Sequence, residues 1–244
     1  MTKLKLSTRE IGAVSVFDLE GYPTQEALQE IAWKIQKKIR RHRIQRVILN
    51  LKNLPFLDPI SMRKLLSACL RPQRSLIFGA SVDAVQTMED NYLPKNVRIC
   101  NSEEAVAEDL GPFLLEKESG KEIPRENPFA PTESIGHQVE RRRCKRMHVA
   151  IPVEFKILMK NGEPIQTRAI VTNISEGGLF AEYLDLDDAK VVEAIEGIEG
   201  LGVEVRLCPC SNFPEEYHLD GVIMRRELRG KQLGLAIKFN EKKD

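Results

Sequence analysis

The densest chemistry in the chain lies in one basic run, Arg141-Arg142-Arg143-Cys144-Lys145-Arg146. Arginine offers a planar fork of donors that matches phosphate oxygens, the O6/N7 edge of guanine and the face of a purine ring. A ligand carrying both guanines and phosphates would use all three. The bland alternative is a solvated basic stretch. A second group, Asn173-Ile174-Ser175-Glu176-Gly177-Gly178, follows at a position where strand-like alternation ends. Asn and Ser supply short donors and acceptors, and paired glycines allow close backbone approach or positive φ. Taken alone, that group is an ordinary turn.

Other residues carry less. Cys208-Pro209-Cys210 could give two ligands to a metal, but His218 is single and no second Cys/His pair has usable spacing, so no metal is expected. Lys34, Lys37, Lys38, Arg40, Arg41 and Arg43 form a basic helix face. With no aromatic residues interleaved among those charges, a solvated face is expected rather than a nucleic-acid or membrane surface. The chain shows no nucleophile paired with a base and no Gly-x-x-x-x-Gly-Lys phosphate loop, which points to binding rather than catalysis.

Composition sets the frame for these groups. The chain has 244 residues, with 37 basic and 36 acidic side chains and a formal charge of +1. Two compact units of ordinary size are expected, and any anion site must be local rather than global. The cysteines are five, an odd count, and Cys69, Cys100 and Cys144 stand far apart in unrelated contexts, so no disulfide framework is expected. No signal peptide and no membrane-crossing run are legible, and the expected location is cytoplasmic.

Elements must then position the two motifs. In the first half, Gly12 to Leu19 is a short apolar segment, and Thr24 can cap a helix striped with Leu28, Ile31, Ile35 and Ile39. Val47-Ile48-Leu49 has the character of a central strand buried on both faces. Asp58 as N-cap and Pro59 at the first helical position open a helix with Met62, Leu65, Leu66 and Cys69 buried. Strands over 75–78 and 97–99 alternate with helices over 84–88 and 103–110, which makes this half α/β. Between Glu116 and Glu140 the apolar pattern vanishes and Pro124, Pro128 and Pro131 appear, as in a linker. Beyond it the period becomes twofold. Val149, Ile151, Val153, Phe155, Ile157 and Met159 alternate, Asn161-Gly162 marks a hairpin turn, and a return strand spans 165–174. Further strands over 178–183, 203–207, 217–226 and 233–239 predict a small antiparallel barrel, interrupted by a surface helix over 187–198.

In this order and at this separation the two motifs resemble those of the PilZ domain, whose hallmark is Arg-x-x-x-Arg followed after two strands by Asp/Asn-x-Ser-x-x-Gly. The matching residues are Arg142, Arg146, Asn173, Ser175 and Gly178. The resemblance covers residues 139–244, including Leu233-Gly234-Leu235-Ala236-Ile237. It implies a six-stranded barrel and a bacterial receptor for cyclic di-GMP. The two arginines would grip phosphate and guanine, with Arg141 and Arg143 as further contacts, and the Asn-x-Ser turn would meet a guanine edge. The insertion over 187–200 departs from the usual pattern.

Residues 1–115 resemble a STAS domain, the fold of anti-sigma-factor antagonists, through the strand Val47 to Leu51, the Phe56-Leu57-Asp58 turn and the following helix. In regulated members of that family the Asp is followed by two hydroxyl residues, the second being the phosphorylated one. Here Ile60 stands at that position. The resemblances together imply an α/β domain over 1–115, a linker over 116–138 and a barrel over 139–244. The implied protein is an adaptor with cyclic di-GMP as ligand, no other cofactor, a protein partner for the STAS-like part, and neither DNA, RNA nor membrane as target. The rival reading is a regulator of the anti-sigma-antagonist type whose barrel meets only protein. Because the arginine run lies where the linker enters the barrel, ligand is expected to alter how the halves sit.

Overall fold

The computed structural model describes residues 3–55, 57–90, 93–115, 146–160, 162–211, 213–228 and 232–240. The linker over 116–138, Arg141, Arg142, Arg143, Phe56 and Asn161 lie outside the described residues.

The first unit is a five-stranded sheet in the order β1-β2-β3-β4-β5. Strands β1 (Lys5–Ile11) and β2 (Val14–Glu20) form an antiparallel hairpin, and β3 (Arg46–Asn50), β4 (Arg74–Phe78) and β5 (Val97–Cys100) add in parallel. Helices α1 (Gln25–His42), α2 (Pro59–Ala68) and α3 (Val82–Asp90) make the crossovers between successive parallel strands. Successive crossovers in one direction with one hand place their helices on one face. That face buries Phe17, Leu19, Val47, Leu49 and Ile77 with Leu28, Ile31 and Ile35 of α1.

The local signals explain the helices. The Thr24 hydroxyl accepts from the Ala27 amide, and Leu28, Ile31, Ala32, Ile35 and Ile39 form the buried stripe. Asp58 caps α2 by accepting from the Ile60 and Ser61 amides, with Pro59 where no amide hydrogen is needed.

Strand β1 has no counterpart in the sequence reading. Its run KLSTREI is polar at alternate positions, and Arg9 points not to solvent but into the molecule, where it is 4% exposed.

The second unit is a closed barrel in the order β10-β11-β8-β7-β6-β9. Its strands are β6 (Met147–Ile157), β7 (Ile165–Ser175), β8 (Gly178–Glu182), β9 (Gly202–Leu207), β10 (Tyr217–Glu227) and β11 (Gly234–Phe239). All neighbouring pairs are antiparallel. Ile151, Val153, Phe155 and Ile157 face inward, as the twofold period predicts. The helix of the insertion, α5 (Leu186–Glu193), is shorter than the expected 187–198. It is also no mere surface helix. Ala189 and Val192, with Ile195 and Ile198 beyond it, belong to the barrel core, and Arg226 donates to the carbonyls of Val192, Glu193 and Ile195 at 3.0–3.2 Å. A cation on the last carbonyls satisfies a helix end and opposes its dipole.

The halves are not joined by the linker alone. The second face of the sheet, with Val16, Ile48, Leu76 and Phe78, is covered by Val106, Ala107 and Leu110 of α4 (Glu103–Leu115) and by Ala150, Ile170 and Leu184 from the barrel region. This is why β3 is apolar on both sides. At the centre lies a polar network. Arg9 donates to Asp18 at 2.8 and 3.1 Å and to the carbonyls of Tyr183 and Leu184 at 2.5 and 2.9 Å, while Asn50 donates to Asp18 at 2.9 Å and to Leu184 at 3.1 Å. Beside it, Glu182 accepts from the Thr172 hydroxyl at 2.5 Å and the Gly12 amide at 3.1 Å. Burial pushes the Glu182 carboxyl above the usual carboxylate range. A docked pair with a shared core replaces the expectation of separate units whose relative placement a linker sets.

Candidate functional site

Two concavities compete as the site, and charge pairing separates them. The larger, about 1050 Å³, lies between the sheet ends at Lys52 and Gly79 and the outer wall of the barrel. Its lysines and arginines are each paired with carboxylates. Arg168 meets Glu104 and Glu154 at 2.7 and 2.9 Å, Arg206 meets Glu154 and Glu216 at 2.8 and 3.0 Å, Lys156 meets Glu204, and Lys52 meets Asp185. The smaller groove, about 610 Å³, opens at the end of the barrel where the sequence motifs fall. Arg146, Arg225 and Lys238 line it against a single carboxylate, Glu227, among the described residues. Arg146 and Lys238 are exposed and have no ion-pair partner among those residues. A groove holding unspent positive charge is the better anion site.

The structure brings four of the expected residues, Arg146, Asn173, Ser175 and Gly178, into this groove. Arg142, with its neighbours Arg141 and Arg143, lies outside the described residues, a few positions before the start of β6.

Register irregularities do the aiming. Val171 pairs with Ala181, yet Asn173 pairs with Phe180, so β7 carries one extra residue between them. A regular ladder would set Asn173 opposite Leu179, whose side chain lies in the barrel core. The bulge instead turns Asn173 outward beside Phe180 and into the groove. A second shift, between His148 and Ile151 on β6, lies just after Arg146.

Ser175 and Gly178 close the turn between β7 and β8, with the Ser175 hydroxyl donating to the Gly178 carbonyl at 3.3 Å. That bond is long, so the hydroxyl can turn to a ligand at small cost. Ser175→Ala is expected to weaken ligand binding by about 1 kcal/mol, the loss of one neutral hydrogen bond, as read by calorimetric titration. Gly178 has a structural reason to be glycine. A Cβ there would stand 2.2 Å from the Ile237 carbonyl oxygen on β11. Its part in the site is close strand packing.

The Asp58 turn is built as a helix cap. The Ser61 hydroxyl donates to Asp58 at 2.5 Å, and this bond is the main cause that holds the Asp58 carboxyl below its usual range. Ser61 is fully buried, whereas Ile60 at the acceptor position of the resembled family is 56% exposed and has no hydroxyl. Protein purified from its own host should carry no stoichiometric phosphate on Ser61; intact-mass spectrometry with peptide mapping checks this.

The cysteines form no reactive centre among the described residues. Burial pushes the Cys69 thiol up to about 12 and Cys100 to about 11. Cys208 and Cys210 are buried, Cys210 with its sulfur 3.8 Å from the Ala150 carbonyl. Among the described residues no group of three or more His, Cys, Asp or Glu side chains is placed to hold a metal.

A sheet of β1 to β5 backed by helices and a closed six-stranded antiparallel barrel with Arg146, Asn173, Ser175 and Gly178 at one groove are therefore both present. No protein-family model matches it, and no curated protein matches it by sequence. Solved structures similar to parts of it include the inhibitor of motility MotI/DgrA of Bacillus subtilis, at 15% identity over 42% of this chain with a TM-score of 0.31. The match spans 44% of that protein. The PilZ domain of YcgR from Escherichia coli, solved with c-di-GMP, is 17% identical over 41% of this chain and 78% of its own, with a TM-score of 0.29. The Bacillus cell fate determinant SpoIIAA, in its phosphorylated form, is 21% identical over 43% of this chain and 96% of its own, with a TM-score of 0.31. Among the described residues no helix is long and apolar enough to cross a membrane.

Proposed function

We propose that this protein is a cyclic di-GMP-responsive regulator in which residues 139–244 bind the nucleotide and residues 1–115 engage a protein partner, with no catalytic step. The observation that carries the reading is the convergence of Arg146, Asn173, Ser175 and Gly178 on one groove, where Arg146 and Lys238 have no ion-pair partner among the described residues. Arg142 would complete the pair of forks. Cyclic di-GMP offers two phosphates and two guanine edges, the groups that arginine forks and short amide and hydroxyl side chains recognise.

Strand β8 supplies the route for a signal. It begins at Gly178 in the groove, and the chain continues from its end through Tyr183 and Leu184, whose carbonyls Arg9 holds. At a rise of about 3.3 Å per residue the site and the sheet are linked over roughly 20 Å by one short segment. Ligand at one end can bias the sheet only through a difference in affinity between two arrangements, so a modest shift is expected.

Thermal unfolding with a nucleotide panel tests the binding reading. Cyclic di-GMP at a hundredfold above its dissociation constant should stabilise by about 2.7 kcal/mol, with GMP and cyclic AMP giving little. A protein of the rival, anti-sigma-antagonist type would respond to none of the three.

A further inference from the structure

We infer that Arg225, which belongs to neither sequence motif, is a ligand-binding residue that grips cyclic di-GMP from the wall of the groove opposite Arg146; this rests on the cyclic di-GMP reading above. Ile223 pairs with Ile237, and a regular ladder would then set Met224 opposite Ala236 and Arg225 opposite Leu235. Leu235 is fully buried in the barrel core, and the position opposite it is held by Arg226, which reaches the carbonyls at the end of α5 and does not line the groove. Instead, Arg225 pairs with Ala236, and Met224 is the extra residue of a bulge. The bulge turns Met224 and Arg225 both outward, and both line the groove. An inserted residue that re-aims a side chain beside a concavity is a recurrent device at binding sites. The same device aims Asn173 from β7.

The adjacent arginine shows that the two have separate tasks. Arg226 donates to three carbonyls at the end of α5 and holds the barrel end closed. Among the described residues Arg225 makes only a loose ion pair, with Glu227 at 3.9 Å, and its side chain is 64% exposed. Its donor fork is therefore open to an anion. With Arg146 on the first wall and Arg225 on the other, the groove offers two separated guanidinium forks. A ligand with two phosphodiester groups and two purines engages both, whereas a mononucleotide reaches one.

Calorimetric titration of cyclic di-GMP into the full chain, Arg225→Ala, Arg225→Lys and Arg146→Ala tests this. Arg225→Ala should weaken binding about tenfold to a hundredfold. Arg225→Lys keeps the charge without the fork and should fall between. Because Arg225 is exposed, the variants should unfold at the parent's urea midpoint. If Arg225→Ala titrates like the parent while Arg146→Ala is weakened, the inference is overturned and the cyclic di-GMP reading stands. If the parent itself does not bind, the cyclic di-GMP reading fails and the inference falls with it.

Discussion

Replacing Arg9 with Ala is expected to lower the free energy of unfolding by about 3 to 5 kcal/mol, the cost of leaving one member of a buried ion pair without its partner. Asp18 is 1% exposed and would keep only the Asn50 amide at 2.9 Å in place of a bidentate guanidinium. The Tyr183 carbonyl would lose its Arg9 donor, and the Leu184 carbonyl would retain Asn50 alone. Each such loss adds to the cost of burial. Urea denaturation at constant slope provides the measurement. Arg41→Ala, on the exposed face of α1, is the comparison and should stay within about 0.5 kcal/mol of the parent. A small effect for Arg9→Ala would mean that the sheet and barrel do not share the packed face described above.

The second large effect concerns the groove. Arg142→Ala or Arg146→Ala should each weaken cyclic di-GMP binding by about 2 to 3 kcal/mol, the scale of a hydrogen bond to a charged group. That corresponds to roughly 30-fold to 150-fold in affinity. The two arginines share one ligand, so the double variant should fall short of the sum of the singles. Titration of the three variants against the parent checks this; a double variant that binds like the parent would remove both residues from the site.

Sequence alone reached the elements governed by local rules. The Thr24 cap, the stripe from Leu28 to Ile39, the Asp58-Pro59 helix start and the alternation through Val153, Phe155 and Ile157 are all set by neighbours in the chain, and all are present. It missed β1, because Arg9 reads as a solvent residue until Asp18, Tyr183 and Leu184 are known to surround it. The shared core was hidden for a related reason. Ala150 and Ile170 stand inside the short apolar runs Val149-Ala150-Ile151 and Ala169-Ile170-Val171, and such runs do not say which unit covers the outer face.

In the site, the legible part was the pair of motifs, and the illegible part was what the bulges do. A bulge puts two consecutive residues on one face, so a period-two reading places Asn173 and Arg225 on the wrong side beyond it. Arg225 and Lys238 could not be found from composition either, since they enter the groove from β10 and β11, far along the chain from Arg146.

Isothermal titration of cyclic di-GMP into the unmodified 244-residue chain decides whether the groove is a site for this nucleotide. Saturable binding that weakens as salt rises is expected, because charged contacts to the ligand's phosphates are screened. Absence of any saturable heat or competition at millimolar nucleotide would contradict it.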